Sequence, residues 1–345
     1  VNQIVDESVA IDSLIRDPLE QARLQGGLPH PSIPLPLDMF GSERRNSAGL
    51  DLSNEDTLRT LATGLAQQQQ WQAGPLIDGA VSLNTPTQVI HNPAQHDDVV
   101  GKVMEAAPAD VETALASASA YAMEWQTTEP SLRAQALLRA ADLFEEHHIE
   151  LMALAVREAG KSLPNAIAEI REAVDFLRYY AAQVEHAPNT VALGPVTCIS
   201  PWNFPLAIFT GQLAAALAAG NVVLAKPAEQ TPLIAWRAVQ LLHAAGVPRG
   251  ALQFLPGSGE VVGAGLCNDA RVKGVIFTGS TEVAQLINRN LAARAVAEGI
   301  DLPLIAETGG QNALIVDSSA LPEQVVQDVM SSAFDSAGQR CSALR

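Results

Sequence analysis

At 345 residues, 48% of them apolar and 17% charged, the chain has the make-up of a folded globular protein and the length for two or three domains. Its formal net charge of −17 excludes a general affinity for nucleic acid or anionic membrane, since both need basic patches. No apolar run approaches the roughly 20 residues of a membrane helix. The cysteines Cys198, Cys267 and Cys341 are too far apart for metal-ligand spacing and suit a reducing compartment, with cytosol the default.

Residues 1–75 are patchy. The chain begins at Val1 rather than Met, so its amino end is expected to be cut. Residues 1–15 suit an amphipathic helix. Pro29, Pro31, Pro34 and Pro36 then exclude helix and favour extended chain. A polar loop over 41–49 and a helical stretch ending in Gln67-Gln68-Gln69-Gln70 follow, the glutamines reading as a solvated helix face. The whole region reads as a connector. From about Pro75 the texture changes: 81–91 suits one or two strands, and Asn92-Pro93 marks a turn. Helical periodicity covers 110–125, 131–159 and 164–186, with Pro108, Pro130 and Pro164 at or just before the starts. His147-His148 reads as solvated surface rather than a metal site.

From Thr190 apolar strands and helices alternate. Strands are predicted over 191–199, 221–225, 251–255, 272–277, 302–306 and 313–316, and helices over 205–219, 232–245, 259–267, 281–297 and 322–335. The alternation predicts an α/β fold with a doubly wound parallel sheet. Ligands of such sheets bind at the carboxyl ends of the strands, so the polar stretches that follow each strand carry the interest.

After the first strand comes Ser200-Pro201-Trp202-Asn203-Phe204-Pro205, where a carboxamide on a stiff turn can donate to a developing oxyanion or simply bond its own turn. After the second, Lys226-Pro227-Ala228-Glu229 offers an ammonium and a carboxylate for sugar hydroxyls, with Thr231 expected to cap and Pro232 to open the next helix. Gly257-Ser258-Gly259-Glu260-Val261-Val262-Gly263 follows the third but is one residue too long for a dinucleotide fingerprint. Phe277-Thr278-Gly279-Ser280 opens a helix, whose exposed N–H groups can hold a pyrophosphate or merely be capped. Glu307-Thr308-Gly309-Gly310 and Gly338-Gln339-Arg340-Cys341 supply a candidate base and a candidate thiolate, with Arg340 a possible electropositive neighbour. Cys198 and Cys267 read as core.

In that order, these stretches resemble the NAD(P)-dependent aldehyde dehydrogenase superfamily. The likeness runs from about Pro75 to the end. It is narrowest to the proline-oxidising branch, which joins an FAD-dependent proline dehydrogenase to an L-glutamate γ-semialdehyde dehydrogenase on one polypeptide. Glu-Thr-Gly-Gly in place of the general Glu-Leu-Gly-Gly supports that branch, while Ala284 stands where the family often has glycine. The resemblance implies a tail of the proline dehydrogenase domain and a linker over 1–75, an NAD-binding domain over 76–320, and the start of a truncated catalytic domain over 321–345. It implies Cys341 as nucleophile, Glu307 as base and Asn203 as oxyanion donor. NAD contacts are implied at Ile199, Ser200, Pro201, Trp202, Lys226, Ala228, Glu229, Gly259, Phe277, Thr278, Gly279, Ser280, Val283, Thr308 and Gly309. Glu172 matches a position near the aldehyde in related semialdehyde dehydrogenases, with a solvated helix carboxylate the ordinary alternative. The implied partners are a small-molecule aldehyde, the proline dehydrogenase domain of the same polypeptide and further copies of the parent, which is cytoplasmic or peripheral at the inner membrane. The competing readings are another semialdehyde dehydrogenase and a non-catalytic fragment retaining nucleotide binding.

Overall fold

Val, Ile, Leu and Ala dominate a set of short strands whose side chains are buried on both faces, and such strands pair in parallel beneath helices. In the computed structural model, which describes residues 4–30, 32–67, 69–83, 85–184 and 190–345, they form the centre of the second of two units, Val1–Asn46 and Ser47–Arg345.

The first unit has little regular structure. Two short helices, α1 (Ile11–Leu14) and α2 (Pro18–Leu24), contain no buried residue, and Asp17 caps α2 by accepting from Leu19 N. A 3₁₀ turn over Pro36–Asp38 is held by Asn46, whose side chain donates to Pro36 O at 2.9 Å. The amphipathic helix expected over 1–15 shrinks to α1 in the described part; Val1–Gln3, like Pro31, Gln68 and His186 in other sequence-based expectations, lies outside the described residues.

The second unit begins with α3 (Glu55–Leu65), capped by Asn54, and a small sheet. In that sheet β3 (Gln95–Met104) pairs in parallel with β1 (Trp71–Ala73) and antiparallel with β2 (Thr87–Asn92) across the expected Asn92-Pro93 turn. Neither β1 nor β3 was expected from the sequence; β3 opens with polar, exposed residues that hide its apolar alternation. Four helices follow: α4 (Pro108–Thr127), α5 (Pro130–Glu146), α6 (His148–Ala159) and α7 (Leu163–Gln183). The single helix expected over 131–159 is therefore two, parted at His147, whose ψ of 20° leaves the helical range. The histidine pair is half-buried rather than solvated, His147 bonding Glu150 at 3.0 Å and His148 the carbonyl of Glu145 at 2.8 Å.

The large sheet has the order β6-β5-β4-β7-β8, all parallel: β4 (Pro195–Ile199), β5 (Val222–Lys226), β6 (Leu252–Phe254), β7 (Gly274–Thr278) and β8 (Leu304–Glu307). Its crossovers are α8 (Ala207–Ala218), α9 (Pro232–Ala244), a π-turn over Gly259–Gly263 leading into α10 (Ala264–Cys267), and α11 (Thr281–Glu298). Helix α8 is apolar almost all round because it is covered on both sides, by the sheet and by α7. Fully buried Phe209, Leu213 and Leu217 on this helix each contribute about 1.5–3 kcal/mol. Cys198 and Cys267 are buried core residues, as expected; burial pushes the Cys198 thiol far up and that of Cys267 up to about 11, so neither is a thiolate near neutrality.

A sixth strand, expected over 313–316, does not form: the chain there is exposed, with Ile315 95% accessible, and Asn312 makes a lone bridge to Leu344. The last helix, α12 (Pro322–Val329), is also shorter than the predicted 322–335, widening into a π-turn over Met330–Phe334. Among the described residues no helix is long and apolar enough to cross a membrane.

Candidate active site

Strand order decides where a ligand can sit. From central β4 the chain runs outward through β5 and β6, then returns to the other side of β4 to lay down β7 and β8. The loops after β4 and β7 consequently part in opposite directions, opening a crevice at the carboxyl ends of those strands. A cleft of ≈650 Å³ lies there. Its walls come from Ile199–Asn203 after β4, Phe277–Ser280 and Val283 at the start of α11, Glu307–Gly309 after β8, Ala228, and Ala337–Cys341. Segments from residue 199 to residue 345 thus face one space.

Most of the sequence-predicted site residues are brought together here, namely Ile199, Ser200, Pro201, Trp202, Asn203, Ala228, Phe277, Thr278, Gly279, Ser280, Val283, Glu307, Thr308, Gly309 and Cys341. Ser280 caps α11 by accepting from Val283 N, leaving the first N–H groups of that helix at the cleft wall. Gly279 is needed for close packing, since a Cβ there would come 2.5 Å from the Phe277 ring. Apolar walls, small residues and a helix start form a donor set suited to a dinucleotide, and Gly309 has nothing within 4 Å of where its Cβ would be. Trp202 is 42% accessible at the cleft.

Lys226, Glu229 and Gly259 do not line the cleft; they form a cluster of their own at the end of β5. The Glu229 carboxylate accepts from Gly259 N at 2.7 Å and lies 3.6 Å from the Lys226 ammonium, which is buried and donates to Pro227 O at 3.1 Å. Burial pulls the Lys226 ammonium down from its ordinary value, with Glu229 opposing. Thr231, expected to cap α9, does not: its hydroxyl is buried without a partner. The carboxylate of Glu158, on α6, accepts from Leu233 N at 2.7 Å and Ile234 N at 2.8 Å in its place.

Cys341 is exposed and also borders a second cavity of ≈320 Å³, on whose wall Glu172, Lys161, Asn165 and Phe204 stand. Burial raises the Glu172 carboxyl, neighbouring Glu169 raises it further, and Lys161 opposes both. The loop leading to Cys341 is unusual: Ser336, Ala337 and Gly338 are consecutively left-handed, at φ of 55°, 54° and 66°. Asp335 holds this loop to α7 through Asn165 at 3.1 Å and to Arg340 at 3.2 Å. The Arg340 guanidinium also donates to the carbonyls of Ser331 and Ser332, so it braces the loop. Asn203 donates to Gln339 O at 2.8 Å, and Asn312 to the carbonyls of Cys341 and Ala343 at 2.8 and 3.0 Å. A carboxamide, a thiol and a carboxylate on three separate loops therefore face one crevice, a set able to attack a carbonyl, hold its oxyanion and activate a water.

Sequence reasoning missed Lys161 and Glu169. Both are buried, and Glu169 lies on the stripe of α7 that carries Ala166, Ile170, Ala173 and Leu177. A carboxylate on an apolar stripe was the available signal.

The class follows from fold and site together and is confirmed by comparison: a profile of the aldehyde dehydrogenase family matches residues 81–345, and the chain belongs to that family. Its relatives are more particular. Over 100% of its length it is 59% identical, across 360 aligned residues, to the bifunctional protein PutA of Escherichia coli (strain K12). A solved structure of Bradyrhizobium japonicum proline utilization A, a variant 43% identical with TM-score 0.82, matches 100% of this chain and 33% of its own. A Thermus 1-pyrroline-5-carboxylate dehydrogenase with bound NAD, 32% identical with TM-score 0.83, matches 91% of this chain and 63% of its own. The chain spans 27% of the length of the E. coli relative.

Proposed function

We propose that this chain is part of an NAD-dependent L-glutamate γ-semialdehyde (1-pyrroline-5-carboxylate) dehydrogenase, within a bifunctional protein of proline catabolism. The observation that carries the reading is the convergence of Cys341, Asn203 and Glu307 on the strand-end cleft of a family member 59% identical to PutA. Residues 1–75 would then be the tail of an FAD-dependent proline dehydrogenase domain and a linker, 76–320 the NAD-binding domain, and 321–345 the start of the catalytic domain. The whole protein is read as cytoplasmic and homo-oligomeric.

In this reading the Cys341 thiolate attacks the aldehyde carbon, and the new oxyanion is held by the Asn203 amide and the Cys341 N–H. NAD, when bound along Ile199–Trp202, Ala228, Phe277–Ser280, Val283 and Thr308–Gly309, supplies the hydride acceptor. Lys226 and Glu229, with Gly259 beside them, serve the adenosine ribose; the carboxylate of Glu229 disfavours a 2′-phosphate and so favours NAD over NADP. Loss of hydride from the adduct leaves a thioester on Cys341. Glu307 takes a proton from the water that hydrolyses it, releasing glutamate. Glu172 faces the aldehyde side.

The native polypeptide carrying these residues should reduce NAD in the presence of pyrroline-5-carboxylate, followed at the NADH absorbance. Cys341→Ala should lower kcat by at least about 10⁴-fold, the scale seen when a covalent nucleophile is removed. Retained turnover in that variant would refute the nucleophile assignment.

A further inference from the structure

Beside the site lies a buried ion pair that the chemistry above does not use. Lys161, just after α6, and Glu169, on α7, are 8% and 1% accessible, and their charges meet at 3.1 Å between Nζ and Oε1. Both partners also grip one short segment. The Lys161 ammonium donates to the backbone carbonyl of Asn203 and lies 4.4 Å from the centre of the Phe204 ring. The other oxygen of Glu169 accepts from Leu206 N at 3.2 Å and Ala207 N at 2.9 Å. The turn from 203 to 207 is thus held at its carbonyl end by a cation and at its amide end by an anion, and the two ions hold each other.

We propose that the Lys161–Glu169 pair is a positioning clamp for Asn203, fixing the carboxamide at the height from which it serves the cleft. Two features favour positioning over packing alone. A buried ion pair is a poor source of net stability compared with apolar groups of the same volume. The backbone atoms it grips are those that set where the Asn203 side chain starts, and an oxyanion donor loses its effect when displaced by a fraction of its hydrogen-bond length. Gly160 allows the arrangement: at φ 66° it ends α6 with a left-handed turn, which sends Lys161 back beneath the 203–207 segment.

The inference rests on the proposed dehydrogenase activity, and the test separates the two. In the native polypeptide, the neutral exchange Lys161→Met with Glu169→Gln keeps volume and an acceptor for the two N–H groups, so it should fold. It should lower kcat by about 10- to 100-fold while leaving the KM for NAD within about 2-fold. The same exchange in an Asn203→Ala background should change kcat by less than about 2-fold, because the group being positioned is already gone. An equal loss in both backgrounds would overturn the clamp. If the parent oxidises no aldehyde, the dehydrogenase reading falls, and the clamp is judged by hydrogen exchange at Leu206 and Ala207 N–H. These should be slow in the parent and at least about 10-fold faster in Glu169→Ala; unchanged exchange would overturn it.

Discussion

Helices α8 and α9 enter the sheet layer in the same way and are held differently. Each receives a buried glutamate from a preceding helix at its first N–H groups, Glu169 for α8 and Glu158 for α9. Glu169 has a lysine at 3.1 Å; Glu158 has its two N–H donors and, in its pKa, no cation pulling against burial. Burial consequently pushes the Glu158 carboxyl up to about 8, whereas the upward push on Glu169 is opposed by Lys161. The difference teaches that a remote cap alone suffices to start a helix, and that the added cation belongs to the entrance carrying Asn203.

Removing the anion from the charged entrance should have the largest effect on stability. Glu169→Ala leaves Lys161 buried without its counter-charge and should cost about 3–5 kcal/mol in denaturant unfolding; a loss below about 1 kcal/mol would mean the lysine reaches water or another acceptor. At the neutral entrance, Glu158→Ala strands two buried N–H groups and should cost about 2 kcal/mol.

A subtler change at that entrance is Glu158→Gln, read through pH. With a folded pKa of about 8 against an ordinary 4.5, the native state binds the Glu158 proton more tightly than the unfolded one. Its contribution is complete below about pH 4.5 and is lost as pH rises through about 8. The parent should therefore lose stability between pH 5 and about 8.5, and the glutamine variant should lose less, in melting curves taken across that range. Equal slopes would place the proton elsewhere. The smallest effect is expected at Thr231, whose buried hydroxyl bonds nothing: Thr231→Val should change stability by less than about 1 kcal/mol, in the stabilising direction if at all.

The same contrast explains what was legible in the sequence. Strands β4, β5 and β7 announce themselves because they are short apolar runs ending in Pro, Gly or Ser, and the cleft residues follow at their ends. The remote caps do not, because the donor and acceptor lie 37 and 75 positions apart and only the fold joins them. Thr231 before Pro232 has the local signature of a helix start, and α9 does begin there; a better acceptor arriving through space took the hydrogen bonds. Residues 313–316 failed for another reason. Their continuous apolar run, Ala313-Leu314-Ile315-Val316, suits a strand, but no neighbouring strand pairs with them among the described residues, and a strand needs a partner to exist.

The position of Cys341 on the boundary of two cavities has a consequence for traffic. A sulfur reached from one side only would force its visitors into a queue, the second waiting behind the first. Here Cys341 stands in the lining of both the larger cleft and the smaller cavity. On the activity proposed above, dinucleotide and aldehyde would occupy different spaces and meet at that residue.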